Sequence, residues 1–113
     1  MATRINWTTG PISSSNGVST VRILGLNNTS FTRQVFIRVY NLSFTPKRII
    51  FNNSYSLRPF ETVTVNLDIT GLEIFEVQTG AFSTSVRFYI TGRSANGINR
   101  PGTTVLNSEF IRY

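Results

Sequence analysis

The clearest periodic pattern in the chain lies between residues 60 and 78. Four apolar residues alternate there with polar ones, which is the two-residue period of a β-strand with one face in the core and the other in solvent. These four are Val63, Val65, Leu67 and Ile69. A turn at Thr70-Gly71 and a run of β-branched and aromatic residues at 72–77 predict a second strand directly after the first. We expect this pair of strands to anchor an all-β core.

The rest of the chain shows further short strand patterns, separated by turn residues. Strands are predicted at residues 18–26, 34–42, 48–51, 86–91 and 103–113, with a turn at 52–54 and a longer loop or wide hairpin at 92–102. Their inward-facing residues are expected to include Val35, Ile37, Val39, Val86, Phe88 and Ile90. About seven strands and no helical period predict an all-β fold, a single two-sheet antiparallel β-sandwich of immunoglobulin-like or jelly-roll topology.

The first 17 residues differ from the rest of the chain. The run from Ser13 to Gly17 is rich in serine and turn-forming residues, so we expect residues 1–17 to form an extended N-terminal arm and residues 18–113 to form the sandwich domain. Ile5 and Trp7 are spaced two apart, so one face of the arm can add to a sheet as a strand. Two interpretations stay open: the arm is the first strand of the chain's own sandwich, or it docks on a neighbouring subunit.

Size and charge limit what such a chain can do. With 113 residues, 40% of them apolar, the chain is long enough for one domain with a single core. Charged residues make up only 14%, so most of the polar surface is uncharged. The net charge of +6 comes from arginines scattered along the chain without a basic run, which argues against nucleic acid as a partner.

Several chemistries lack the residues that they usually need. The chain has no Cys and no His, which excludes disulfides, thiolate and imidazole metal ligands, and the commonest general base. We therefore expect no metal site and no cofactor. No apolar stretch has the length of a signal peptide or of a membrane span, which predicts a soluble protein without membrane insertion and without a recognisable signal peptide.

The acidic residues offer little for catalysis. The candidates are Glu61, Asp68, Glu73, Glu76 and Glu109. Glu73 and Glu76 stand three apart on one predicted strand, so their side chains point to opposite faces of the sheet. They therefore cannot act together as a general acid and a general base. Because no phosphate-binding loop or nucleophile motif is present either, we predict that the protein is not an enzyme. A buried Glu76 or Glu109 is expected to pair with an arginine such as Arg87 or Arg112.

Five segments of the chain together resemble a known group of proteins. They are VSTVRILGLNNTS, QVFIRVYNLS, ETVTVNLDITGLEIFEVQ, VRFYITGRSANG and VLNSEFIRY, all within residues 18–113. In their order, and in the motifs FEVQ, ITGRSANG and SEFI, they resemble small β-sandwich proteins of spore-forming Firmicutes: spore-coat, exosporium and endospore-appendage subunits. The resemblance implies self-assembly through an N-terminal connector that reaches another subunit. The connectors of appendage subunits carry cysteines for covalent crosslinks, and this chain has none.

These observations lead to a predicted function and one alternative. We predict a structural subunit that self-assembles into a fibre, appendage or lattice on a bacterial spore or cell surface, with Ile5 and Trp7 as the assembly contacts of the arm. The expected partners are copies of itself and other spore-surface proteins. The alternative is a carbohydrate-binding, lectin-like module, because Phe36, Tyr40 and Tyr89 lie on strand faces outside the obvious core. Such exposed aromatic contacts also suit a subunit interface.

Overall fold

The structure, a computed structural model, describes residues 4–13, 19–93, 99–105 and 110–113. Every regular element in these ranges is a β-strand. The ten strands are β1 (Ile5–Thr8), β2 (Ile12–Ser13), β3 (Thr20–Asn27), β4 (Arg33–Asn41), β5 (Arg48–Leu57), β6 (Thr62–Asp68), β7 (Ile74–Ala81), β8 (Val86–Arg93), β9 (Asn99–Val105) and β10 (Ile111–Arg112).

The strands form two antiparallel sheets that pack face to face. Sheet I has the order β10-β1-β7-β4-β5, and β2 pairs with the beginning of β7. Sheet II has the order β6-β3-β8-β9. Successive strands lie in different sheets after β2, β3, β5, β6, β7 and β9, whereas β4–β5 and β8–β9 are pairs of consecutive strands within one sheet. The predicted antiparallel β-sandwich is confirmed.

The core lies between the inner faces of the two sheets. Strands β3, β4 and β8 alternate buried and more exposed residues over most of their length, as the period of the pleat requires, whereas β7 is buried on both faces for most of its length. The predicted core residues Val35, Ile37, Val39, Val86, Phe88 and Ile90 are all buried. On β6, Val65 is buried, and so is Ile69 directly after the strand, while Val63 and Leu67 are partly buried against the same cluster. These two are less covered because β6 is an edge strand of sheet II.

The strand pair predicted around Thr70-Gly71 is divided between the two sheets. The turn itself forms as expected: Leu72 N donates to Ile69 O at 3.0 Å, and Gly71 adopts a φ of 89°, which glycine tolerates without strain. However, β6 pairs with β3 in sheet II, and β7 pairs with β4 and β1 in sheet I. The turn is therefore a crossing between the two layers, and each strand contributes to the core from its own side.

The turn predicted at residues 52–54 is wrong, because β5 runs without interruption from Arg48 to Leu57. It pairs with β4 through this region, with Asn52 opposite Arg38 and Ser54 opposite Phe36. As the edge strand of sheet I, β5 is largely exposed on both faces. Polar residues are tolerated on both faces of such a strand, so its sequence resembles that of a turn.

Both ends of the chain contribute more strands than the sequence predicted. The N-terminal region supplies β1 and β2, and the single strand predicted at 103–113 is replaced by the separate strands β9 and β10. Strand β9 begins inside the predicted loop at 92–102, with Arg93 opposite Asn99, so the wide-hairpin alternative is correct there. The count is therefore ten strands within the described ranges, rather than about seven.

Candidate functional site

The outer face of sheet I carries a cluster of polar and aromatic side chains. Because side chains alternate along a strand, those that point away from the core come from every second residue of β1, β4 and β7. They include Asn6 of β1, Phe36, Arg38 and Tyr40 of β4, and Glu76 and Gln78 of β7. Gly80 lies in their midst, opposite Asn6 on one side and Phe36 on the other.

Arg4 lies directly above Gly80. A β-carbon at residue 80 would stand 2.6 Å from Arg4 Nε and 3.0 Å from Arg4 Nη2, so the absence of a side chain at Gly80 makes room for the guanidinium. The guanidinium carbon lies 3.9 Å from the centre of the Phe36 ring, at cation–π distance. Strand order, a glycine and an aromatic ring thus hold Arg4 in one position.

Two adjoining open cavities lie beside this arginine. The first, of about 380 Å³, is lined by Arg4, Asn6, Arg38, Tyr40, Gln78 and Tyr113. The second, of about 320 Å³, shares the walls formed by Arg4, Asn6 and Tyr113 and adds Ile5 and Arg112. The Tyr113 hydroxyl donates to Gln78 Oε1 at 2.7 Å, and the Tyr113 amide donates to Asn6 O at 3.1 Å, which fixes the C-terminal wall. We name the two cavities together the arginine groove.

The arginines of this groove have no acidic partner within the described ranges. The ion pairs there are Lys47–Glu76 and Arg58–Glu61, and neither includes Arg4, Arg38 or Arg112. Arg4 Nε is buried and has no hydrogen-bond acceptor among the described residues. Burial, followed by the charge of Arg38, lowers the pKa of the Arg4 guanidinium below its ordinary value. Since arginine stays protonated in proteins, the groove holds uncompensated positive charge.

Glu76, on the same outer face, is already engaged. Its carboxylate accepts hydrogen bonds from Lys47 Nζ at 2.7 Å, from the Thr8 hydroxyl and from Gln78 Nε2 at 3.3 Å. Burial raises the pKa of Glu76, but these hydrogen bonds and the charge of Lys47 lower it by more, so the pKa lies below its ordinary value. The carboxylate is therefore a structural anion at neutral pH.

The arginine partner predicted for Glu76 is not found. Glu76 pairs with Lys47, because β8 and hence Arg87 belong to the opposite sheet, and β1 separates β7 from the strand of Arg112. Glu109 lies outside the described residues. Glu73 is exposed and precedes the first residue of β7, so the two glutamates do not share a strand as predicted.

The two residues predicted as assembly contacts lie within the chain's own sheet. Ile5 is opposite Ala81 and Trp7 is opposite Thr79, both on β7. The Trp7 ring packs against the core with its centre 5.8 Å from that of Phe88. The N-terminal region thus includes strands of its own sandwich, and its contact with a second subunit stays a prediction.

The three aromatic residues predicted as exposed contacts do not form one surface. Phe36 and Tyr40 share the outer face of sheet I, but each ring has a cation over it, Arg4 on Phe36 and Lys47 Nζ at 4.3 Å from the centre of Tyr40. Tyr40 is only 9% exposed. Tyr89 is half-buried on β8 in sheet II, opposite Leu24. On the outer face of sheet I, the rings of Phe36 and Tyr40 therefore serve as supports for cations.

The described ranges contain no group of three or more His, Cys, Asp or Glu side chains placed to hold a metal ion. No helix in the same ranges is long and apolar enough to cross a membrane.

The fold and its outer face define an antiparallel β-sandwich with an arginine-lined groove on one sheet. No protein-family model, no curated protein and no solved structure matches the chain. The likeness to spore-surface proteins therefore stays a resemblance of sequence segments.

Proposed function

We propose that this protein is a non-enzymatic structural subunit that self-assembles on a bacterial spore or cell surface by donating its N-terminal strands to a neighbouring copy. The supporting observation is how the N-terminal region pairs. Residues 5–8 pair with β7 between Ala81 and Gln78, and β2 continues along the same strand at Phe75 and Ile74. Between them, Thr9 N donates to Val77 O at 3.0 Å.

The N-terminal strands also complete the core. Ile12 is 7% exposed, and Trp7 packs against the buried cluster. Burying an apolar side chain of this size contributes roughly 1.5 to 3 kcal/mol, whichever copy supplies it. The same strands from a neighbour would find the same partners on β7, β10 and the core, so exchange preserves these contacts and changes only the connection to β3.

Exchange of this kind gives a head-to-tail contact, which forms a ring if it closes and a filament if it does not. The other edge of sheet I provides a second surface for extension. Strand β5 is an edge of ten residues in which Ile49 and Ile50 are exposed and Arg48 carries the only charge. A long edge with a single charge and exposed apolar residues favours pairing with another strand.

A pair of introduced cysteines distinguishes a closed chain from an exchanged one. The chain has no native cysteine, so Thr8→Cys with Gln78→Cys forms the only available disulfide. Thr8 is directly opposite Gln78, and the neighbouring residues Thr9 and Val77 are joined by a backbone hydrogen bond. The Cα atoms of two residues directly opposite each other in an antiparallel pair are about 4.5 to 5.5 Å apart, a distance that a disulfide can bridge. Strand donation predicts a ladder of covalent oligomers on a non-reducing gel after mild oxidation.

The matched control is Arg22→Cys with Asn66→Cys. These residues are opposite each other on β3 and β6 of sheet II, which the proposal leaves within one chain, so only an intramolecular bond is expected. Monomers alone from the Thr8/Gln78 pair, with no rings or filaments in negative-stain images, would contradict the proposal. Equal ladders from both pairs would show unspecific crosslinking and would contradict it too.

A further inference from the structure

The arginine groove contains cationic donors that the described contacts leave unsatisfied. Arg4 Nε is buried without an acceptor, and Arg38 lines the same cavity without an ion pair. Arg4 and Arg38 are both half-buried, so the groove holds two like charges that are partly removed from water, and an external anion bound there would offset them. The nearby carboxylate cannot do so, because Glu76 is bound by Lys47, Thr8 and Gln78.

The position of Arg4 is prepared in advance for an anion. Its guanidinium stacks on Phe36 and lies over Gly80, where a side chain would displace it. A planar guanidinium held in one orientation presents its N–H groups as a fixed fork, which matches the two oxygens of a carboxylate. Little side-chain entropy is then lost when the anion binds.

The shape of the groove indicates a ligand longer than one ion. The second cavity continues past Arg4 and Tyr113 and brings in Arg112, so arginines stand at successive positions along the groove. Between them lie the amide side chains of Asn6 and Gln78 and the hydroxyl of Tyr113. Amide and phenol groups donate and accept hydrogen bonds, as the hydroxyls of a sugar ring require.

The aromatic residues argue against nucleic acid. Proteins that bind single strands stack successive bases on free aromatic faces. Tyr40 lines the arginine groove and Phe36 lies beside it under Arg4; both rings have a cation over them, and Tyr40 is nearly buried. Tyr113, which is 59% exposed, is left as a ring that can pack against a ligand.

We infer that the arginine groove binds a segment of an anionic polysaccharide whose sugar units carry carboxylates. Arg4 and Arg38 bind the carboxylate of one unit, Arg112 attracts that of a neighbouring unit, and Asn6, Gln78 and Tyr113 face the sugar hydroxyls. This activity goes beyond self-assembly, and the two are independent because the groove has the same walls whichever copy donates β1.

The test is a binding titration of the full-length chain at about 150 mM salt, where weak surface attraction is largely screened. The probes are a fluorescently labelled hexamer of galacturonic acid, a neutral glucose hexamer and an oligothymidylate of similar length. The galacturonate hexamer is expected to bind and the neutral hexamer is not. Arg4→Gln and Arg38→Gln should each weaken binding at least about tenfold, the usual effect of losing a charge-assisted hydrogen bond.

Two further variants distinguish binding at the arginine groove from attraction to the net positive charge of the protein. Gly80→Ala keeps the net charge but pushes Arg4 out of place, so it should weaken binding about as much as Arg4→Gln. Arg22→Gln removes a charge from sheet II, where Arg22 Nε donates to Asn66, and should change binding less than about twofold. Circular dichroism and the melting temperature of each variant establish that it is folded.

Three results would overturn the inference. One is no binding of the galacturonate hexamer by the folded chain. Another is equal loss of binding from Arg22→Gln and Arg4→Gln, which would assign the interaction to the diffuse charge of the whole protein. The third is tighter binding of oligothymidylate than of galacturonate, which would assign the groove to phosphate chemistry. If Gly80→Ala does not fold, the two glutamine variants still decide between these outcomes.

Discussion

At the scale of single residues, Asn27 joins two turns at one end of the sandwich. It is fully buried at the end of β3, and its side-chain nitrogen donates to Phe31 O at 2.7 Å and Leu57 O at 3.0 Å. Its side-chain oxygen accepts from Thr29 N at 3.1 Å. A buried amide with partners on both sides stabilises the fold, whereas removing it leaves those partners unsatisfied.

We therefore expect Asn27→Ala to lower the free energy of unfolding by about 2 to 3 kcal/mol. Asn28→Ala is the matched control, because this neighbouring side chain is exposed, and its effect should stay within about 0.5 kcal/mol. Urea denaturation of both variants gives the comparison. Equal effects of the two substitutions would show that the contacts of Asn27 are not stabilising.

Thr79 presents the opposite case, a buried hydroxyl without a partner. It is 1% exposed on the inner face of β7, and its Oγ1 has no hydrogen bond within the described ranges. Valine has nearly the same shape and no polar atom to desolvate. Thr79→Val should raise the free energy of unfolding by about 1 kcal/mol in a denaturant melt.

Thr91→Val is the control for this substitution. Thr91 is equally buried on β8, but its hydroxyl donates to Gly92 O at 3.4 Å. The same change there removes a hydrogen bond and should give no gain. A gain at Thr91 as large as that at Thr79 would mean that added hydrophobicity, rather than relief of an unsatisfied hydroxyl, is responsible.

At the scale of elements, Glu76 connects three parts of sheet I. Its carboxylate joins β7 to Thr8 of β1 and to Lys47, which directly precedes β5. The pKa of Glu76 is lower in the folded state than in the unfolded state, so the ionised carboxylate stabilises the fold. This stabilisation is complete above the ordinary glutamate pKa of about 4.3, and it is lost as the pH falls through the lower pKa of the folded state. This connection is therefore sensitive to acid.

We expect Glu76→Gln to lower the free energy of unfolding by roughly 1 to 2 kcal/mol at neutral pH. The difference between this variant and the unmodified chain should shrink below about pH 4, because protonation removes the same charge from the unmodified chain. Urea melts between about pH 3 and pH 7 measure it. A difference that grows towards low pH would contradict the assigned direction of the pKa shift.

How well each strand could be predicted depends on how its two faces are covered. The alternation of β6 follows from one face in the core and one in solvent, and its three apolar residues pack with Ile69 against the core as expected. Strand β5 is exposed to solvent on both faces for most of its length, so the polar sequence around Asn52 and Asn53 resembles that of a turn. The ion pair of Glu76 depends on Lys47, which the sheet order brings close although it precedes Glu76 by 29 residues. A local sequence pattern contains no information about which distant residues the sheet order brings into contact.

At the scale of the whole molecule, the arginine groove depends on the order of the strands. Alternation alone places Arg38 and Tyr40 on the same face of β4. That Arg4 lies beside them follows from the position of β7, which pairs with both β4 and β1 and contributes Gly80 between them. The scattered arginines therefore gave no sign of a basic site along the sequence, and the groove forms only when the sheets are assembled.

The position of β1 between β7 and β10 affects how the chain folds. Trp7 is opposite Thr79 and Arg112, partners far away in sequence, whereas the hairpins β4–β5 and β8–β9 join near neighbours. Distant contacts close more slowly than local ones, so we expect β1 to join the sheet last. Until then the edge of β7 is open to the first N-terminal strand that reaches it. Under the proposed strand exchange, dilute chains would close on themselves and crowded chains would become linked, so the proposal makes the state of assembly depend on the concentration during folding.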